Sequence, residues 1–525
     1  MHRRALLRSI PAIGLAAPGL ARAQGSQVLR FVPQADIAVL DPHSTTGLVT
    51  RNHAYLVFDT LYGVDASFKV QPQMVEGHTV EDDGKRWTMT LREGLKFHDG
   101  EPVRGRDVIA SLVRWKERNT FANAMFAIVE ELTSPSDRII VWRLKRPFPM
   151  LPEVLGNSSS PVAAIMPERL AKTDIATLLT DMVGSGPFRF VADERIPGSR
   201  TVYAKFDGYV PRAGTPSLLS GGKIVNIDRV EWLNLPDAST AAAALQRGEI
   251  DWWEQPPSDL LPVVTRTRGL KVAVLDKLGA IACLRPNHTL PPFNNAAMRR
   301  ALLPAISQTD TMTAVAGTDK QLWRDGVGYF APGSPMASDV GMEALTAPRD
   351  LAAARKALEA AGYNGEKVLL MAPTDFASIT AMSEVTADVL RRIGVDLEYA
   401  AMDWGSMLVR MANREPPDRG GYNLFCTYSL GVTHMNPATH NFLRGSGDKA
   451  TFGWPDIPRM EELRDEWLFS SDPDANQRIG REMQKLAFEN VPYIPLGQFY
   501  QPTAYRDRIS NLLEGAPLFW NLKLA

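Results

Sequence analysis

The sequence predicts an α/β protein of at least two lobes, and three observations carry that reading. Its 525 residues exceed what one hydrophobic core usually supports. Its composition, 45% hydrophobic and 22% charged, is that of an ordinary globular chain. Strand-like and helix-like patterns alternate along it, as in sheets covered by helices.

Val28 to Leu40 reads as a strand followed by a loop, and Asn52 to Tyr62 as a helix with Ala54, Val57, Phe58 and Leu61 on one stripe. Val80 to Leu91 reads as a hairpin, with Asp83-Gly84 as its turn and Trp87, Met89 and Leu91 alternating on one face. Asp107 to Arg118 is helical because Val108, Leu112 and Trp115 share a stripe. Ile139 to Leu144 returns to strand, after which Pro147, Pro149 and Pro152 force an irregular path, and Gly184 to Pro187 turns. Ala238 to Arg247 is an alanine-rich helix ended by Gly248, with a strand starting at Ile250. Asp350 caps a helix that runs to Ala361 and stops at Gly362, and Val368 to Met371 follows as a strand. Thr380 to Ile393 repeats the pattern, ended by Gly394 before a strand at Val395 to Tyr399. There is no period of 20 to 50 residues and no low-complexity segment, which excludes a solenoid.

The first 23 residues read as a cleaved export signal: Arg3, Arg4 and Arg8 precede the apolar stretch Ile10 to Leu20, and Ala21-Arg22-Ala23 is a small-x-small site before Gln24. Pro11, Gly14, Pro18 and Gly19 break that stretch, so it does not serve as a membrane span. Arg3-Arg4 approximates the twin-arginine pattern, and Arg22 disfavours general secretion. No cysteine follows the site, so no lipid anchor is indicated and the product is expected free in the periplasm. Removing the signal takes four arginines and no acid, moving the formal charge from −1 to −5, a balance that favours neither nucleic acid nor a membrane surface. Cys283 and Cys426 lie in apolar runs and are read as two separately buried thiols in preference to one disulfide.

An ordered series of motifs carries the reading further. Leu40-Asp41-Pro42-His43 comes first, then the run from Trp87 to Val103 that contains Arg92-Glu93-Gly94-Leu95-Lys96-Phe97-His98-Asp99-Gly100. Gly184-Ser185-Gly186-Pro187-Phe188, Leu245 to Asp251, Pro291-Pro292-Phe293-Asn294 with Met298 to Leu302, Ala360-Ala361-Gly362-Tyr363 and Val491 to Leu496 follow in order. Together they resemble the family 5 bacterial solute-binding proteins, the oligopeptide, dipeptide and nickel receptors of ABC importers, over essentially the whole mature chain. Trp87 and Phe97 are read as core, and His98-Asp99-Gly100 as a turn. Arg104 stands where the family usually has a capping Thr or Ser, so that helix start is expected to be less well satisfied.

The resemblance implies the two-lobed periplasmic binding protein fold (type II, cluster C) with an extra N-terminal inserted domain. Lobe one is expected in three pieces, 24–67, 187–280 and 497–525, with the insertion at 68–186 and lobe two at 281–496. It implies the role of a receptor for peptide or peptide-like solutes, working as a monomer with an ABC permease in the inner membrane and using no cofactor or resident metal. Carried over by position, ligand contacts are expected from Thr46 and Leu48, from Trp253, Glu254 and Gln255, from Trp404, and from Tyr428, Thr433 and His434. Because Trp252 and Trp253 are adjacent in a strand, only one of them is expected to face the cleft. Thr433 occupies the position where peptide receptors of the family place an aspartate on the ligand ammonium, which puts ordinary N-terminal capture in doubt, with Glu254 as a substitute. His434 and His440 leave a nickel-chelate ligand open, and a sugar or opine-like solute also stays open. An enzyme, such as a secreted hydrolase, is the remote alternative, since the chain has no Gly-x-Ser-x-Gly, His-Glu-x-x-His or phosphate-loop motif.

Overall fold

The computed structural model describes residues 27–525, so the signal read over residues 1–23 and the start at Gln24 lie outside the described residues. Two large mixed sheets organise the chain, as alternating strands and helices require. The first has seven strands in the spatial order Leu270–Ala273, Thr503–Arg506, Trp252–Trp253, Val28–Val32, Arg229–Leu233, Arg200–Lys205 and Phe188–Phe190. The second has six, Trp323–Arg324, Ile494–Phe499, Ala280–Pro286, Leu424–Leu430, Val368–Pro373 and Leu397–Met402. A four-stranded antiparallel sheet, Val75–Glu81, Arg86–Leu91, Ile139–Leu144 and Val129–Ser136, is inserted in the chain between the strands Val28–Val32 and Phe188–Phe190 of the first sheet.

Local chemistry accounts for most element ends. The helix Ala238–Arg247 starts where the Asp237 carboxylate accepts the Thr240 N–H at 2.7 Å, and it stops at Gly248, whose φ of 78° suits glycine. Asp350 caps Leu351–Ala360 in the same way through the Ala353 N–H. Three expectations need correction. The first helix is Leu48–Val57 rather than Asn52 to Tyr62, because Phe58 is already extended and Tyr62 enters a strand. The strand expected from Ile250 is only Trp252–Trp253, held parallel to Phe31 and Val32. The helix start at Arg104 is not poorly satisfied: Asp107, three residues on, accepts the Arg104 N–H at 2.9 Å and with its other oxygen the Glu168 N–H.

The two thiols are free and buried, as read. Cys283 is registered opposite Thr427 and Cys426 opposite Leu284, so the two side chains leave the sheet on opposite faces.

The inserted segment is tied to the first sheet through a buried ion pair. Arg114 donates to both oxygens of Asp41, at 2.9 and 2.6 Å, and Asp41 also accepts the Leu179 N–H. Burial pushes the Asp41 carboxyl up, but the guanidinium and the His43 N–H outweigh it and hold it below its ordinary range. Asp59 makes a second such pair with Lys223 at 2.7 Å. On its far side the insertion meets the second sheet's helices, with Phe148 on Phe469 and the Arg146 guanidinium 3.3 Å from the Phe469 ring centre.

The chain crosses between the large sheets twice within the described residues, through residues 274–279 and residues 500–502. Each crossing joins one strand directly to another. Leu270–Ala273 pairs with Thr503–Arg506 on one side and Ala280–Pro286 with Ile494–Phe499 on the other.

Replacing Arg114 by Ala leaves the Asp41 carboxylate buried without its partner. The expected loss is about 3–5 kcal/mol of unfolding free energy in urea denaturation; a loss under about 1 kcal/mol would show that water solvates Asp41 in its place.

Candidate ligand-binding site

A cavity of about 80 Å³ lies at the crossing between the two sheets. Leu48 and Arg51 of the first helix and Trp252, Glu254 and Gln255 line it from the first sheet's side; Ala280, Tyr428, Leu430 and Phe499 line it from the second. Leu275, Asp276 and Gly279 of one crossing and Gln501 of the other form its floor. A second cavity of about 50 Å³ shares Arg51, Asp276, Gly515 and Ala516 with it and adds Tyr55, Phe68 and Val432.

Its electrostatics come from the buried Arg51 and Glu254, the half-buried Asp276 and the neutral Tyr428 hydroxyl. Glu254 is 8% exposed, and its oxygens accept the Gln34 N–H at 2.7 Å and the Asn52 Nδ2 at 3.1 Å. Burial pushes its carboxyl up to about 7, against the opposing pull of the Gln34 N–H, Arg51 and Asn52. Asp276 accepts the Leu278 and Gly279 N–H groups, and burial raises its carboxyl too. Burial, and then the nearby Glu254, raise the Tyr428 hydroxyl to about 12, so it stays a neutral donor.

Of the residues expected from sequence, Leu48, Glu254, Gln255 and Tyr428 come together around this cavity. The others do not. Thr46 is exposed on the loop before the helix and lines neither cavity. Trp253 is replaced in the lining by Trp252: strand alternation turns Trp253 into a core with Val32, Ala241 and Leu245, and the Trp252 indole N–H donates to Thr503. Trp404 is half-buried at the start of its helix and reaches the cavity only through a line of rings, Trp404 on Phe376, Phe376 on Tyr428, Tyr428 on Phe499. The Thr433 hydroxyl donates to the Leu430 carbonyl at 2.8 Å. His434 is fully buried, its Nδ1–H donating to the Tyr329 carbonyl and its Nε2 paired with the Ser429 hydroxyl, and burial drops it to about 4. The His440 ring centre lies 4.1 Å from that of His434, its plane tilted by 55°, and its Nε2–H donates to the same carbonyl.

Sequence reasoning missed Arg51, Asp276, Phe499 and Gln501. A signal existed for Arg51: Leu48, Arg51, Asn52 and Tyr55 fall at helical spacing and set two polar groups on a stripe that is otherwise apolar. Asp276 lies in a crossing segment with no periodicity to read.

A family model described as bacterial extracellular solute-binding proteins, family 5 Middle, matches residues 69–451. The chain is 35% identical to a probable peptide ABC transporter periplasmic-binding protein of Sinorhizobium fredii, over 100% of both chains. It is 26% identical to a glutathione-binding protein of Salmonella typhimurium, over 88% of this chain and 87% of that one. Among solved structures it resembles the PBP AgaA of A. tumefaciens R10 in complex with agropinic acid, with a TM-score of 0.78 and 22% identity, covering 95% of this chain and 99% of the other. It also resembles DppA of Helicobacter pylori in complex with the peptide STSA, with a TM-score of 0.77 and 20% identity over 95% and 98%. These likenesses give the fold: two α/β lobes of the type II periplasmic binding class.

Because Glu254 binds its proton more tightly folded than unfolded, its contribution to stability is complete below about pH 4.5 and is lost as pH rises through about 7. Relative to Glu254→Gln, the wild type is expected to lose about 3 kcal/mol of unfolding free energy between about pH 4.5 and 8. A difference that does not change over that range would mean that the folded carboxyl is not raised.

Proposed function

The chain belongs to family 5 of the bacterial extracellular solute-binding proteins, and on that premise we propose that it is the periplasmic receptor of an ATP-driven importer, capturing a peptide or peptide-like solute between two hinged lobes and delivering it to an inner-membrane permease. The observation that carries this reading is the cavity lined from both sheets at the point where the chain crosses between them. A solute held there contacts both lobes at once, so its binding energy favours the closed arrangement that a permease can recognise. Residues 24–67, 187–280 and 497–525 form lobe one in this reading, 281–496 lobe two, and 68–186 the insertion.

The carboxylates that line the cavity are on the lobe-one and crossing side, at Glu254 and Asp276, while the Thr433 hydroxyl donates to the Leu430 carbonyl. Glu254 is therefore the group we assign to a ligand ammonium. The enzyme alternative gains nothing from the Ser429–His434 pair, whose imidazole is sealed in the core and oriented by a carbonyl instead of a carboxylate. His434 and His440 likewise do not favour the chelate reading: both are buried on the Tyr329 carbonyl and neither lines the two cavities at the crossing.

Export through the twin-arginine route with cleavage before Gln24 belongs to the same proposal, supported by Arg3-Arg4 and the Ala21-Arg22-Ala23 site. N-terminal sequencing of protein recovered from the periplasm is expected to begin at Gln24; an intact Met1 would refute the cleavage.

Receptor function is tested by thermal unfolding of the mature protein against dipeptides, oligopeptides, nickel with and without histidine, and sugars. A ligand at 100 times its Kd is expected to stabilise by about 2.7 kcal/mol. Peptide-class solutes should shift the melt; a shift by sugars or nickel–histidine alone would replace the solute class.

A further inference from the structure

The buried arginines of this protein divide into two kinds. Arg114 grips Asp41, Arg464 reaches Glu461 and the Leu443 carbonyl, and Arg285 and Arg299 bond backbone carbonyls. Arg51 alone among them has only the side chain of its chain neighbour: Nε and Nη2 donate to Asn52 Oδ1 at 3.4 and 3.1 Å. Among the described residues its Nη1 donates to nothing, and no carboxylate oxygen lies within 4.0 Å of the guanidinium. Yet Arg51 is only 9% exposed and lines both cavities. A buried guanidinium without a counter-charge is costly, and its planar fork matches a carboxylate.

Two carboxyls share the larger cavity with it, and the structure keeps them off the arginine. Asn52 does this with one amide, its Oδ1 accepting from Arg51 and its Nδ2 donating to Glu254 Oε1 at 3.1 Å. Asp276 is held by the backbone N–H groups of Leu278 and Gly279. Opposite charges are thus set around one small space without collapsing into an ion pair. At about 80 Å³ the space is below the roughly 300–1,000 Å³ of pockets for drug-sized ligands, so it suits a head group and not an extended chain.

We propose that this cavity is a zwitterion clamp: Arg51 takes the carboxylate, and Glu254 with Asp276 takes the ammonium, of an amino-acid-type head carrying both groups on one carbon. The proposal rests on the receptor reading and names the solute class within it. An ordinary peptide, with its two charged termini at opposite ends of an extended chain, fills only half of the clamp. A γ-linked glutamyl compound presents both charges on its head.

The test is calorimetric titration of the wild-type mature protein with γ-glutamylalanine, its N-acetyl derivative, its α-carboxamide and trialanine. The γ-glutamyl compound is expected to bind, with acetylation and amidation each weakening it by about 10- to 100-fold, as loss of a charged hydrogen bond implies. In Arg51→Gln the carboxamide should bind no worse relative to the parent compound, since the carboxylate has no partner left to lose. Comparable affinity of all four probes, tight trialanine binding indifferent to Arg51→Gln, or no binding of γ-glutamylalanine each overturns the clamp. Tight trialanine binding leaves the receptor reading standing, whereas silence of these probes together with every solute of the thermal panel removes both. The acetylated and amidated probes decide the question on wild-type protein, whatever the folding of the variant.

Discussion

Everything in the molecule that bears on a ligand depends on the narrowness of the crossing between the sheets. Six residues, 274–279, make one passage and three, 500–502, the other. On both sides the chain is already paired strand to strand, so relative motion of the sheets concentrates in these few backbone torsions. Gly279 marks how tight the site is: its φ is 53°, and a β-carbon there would lie 2.3 Å from the carbonyl oxygen of Phe499, the strand residue that leads into the other passage. Because Asp276 and Gly279 also line the cavity, a solute held there as proposed would touch the crossing itself.

The distribution of buried charge sharpens that picture. Asp41 with Arg114 and Asp59 with Lys223 are closed pairs, each carboxylate also fixed by a further donor. The first fixes the insertion to the first lobe and the second joins two pieces of that lobe, and neither leaves anything for a solute. At the crossing the arrangement is reversed, with Arg51, Glu254 and Asp276 held by amides and backbone instead of by one another. Pairs of the first kind set geometry. Groups of the second kind are those that the proposed clamp uses.

Much of the fold was legible because its signals are local. Gly248, Asp350 and the Asp83-Gly84 turn act within a few residues, and the structure places element ends there. The family motifs extended that to the whole chain. What failed did so where the answer depends on distant partners. The choice between Trp252 and Trp253 is made by pairing with Phe31 and Val32, over 200 residues away. His434 and His440 read as polar loop histidines that left a chelate open, until Tyr329 supplied the carbonyl that both of them bond. Arg51 was passed over because an arginine in a helix is usually solvated, and only the tertiary fold takes the water away.

The opposed faces of Cys283 and Cys426 have a chemical outcome of their own. In the folded sheet a bridge between these sulfurs would require one of the strands Ala280–Pro286 and Leu424–Leu430 to slip by one residue, which would move every side chain along it to the other face. Burial also raises both thiols, Cys426 to about 11, so little nucleophilic thiolate forms at neutral pH. Strand register thus acts as an antioxidant: once folded, the protein holds its two thiols apart without any reductant to maintain them.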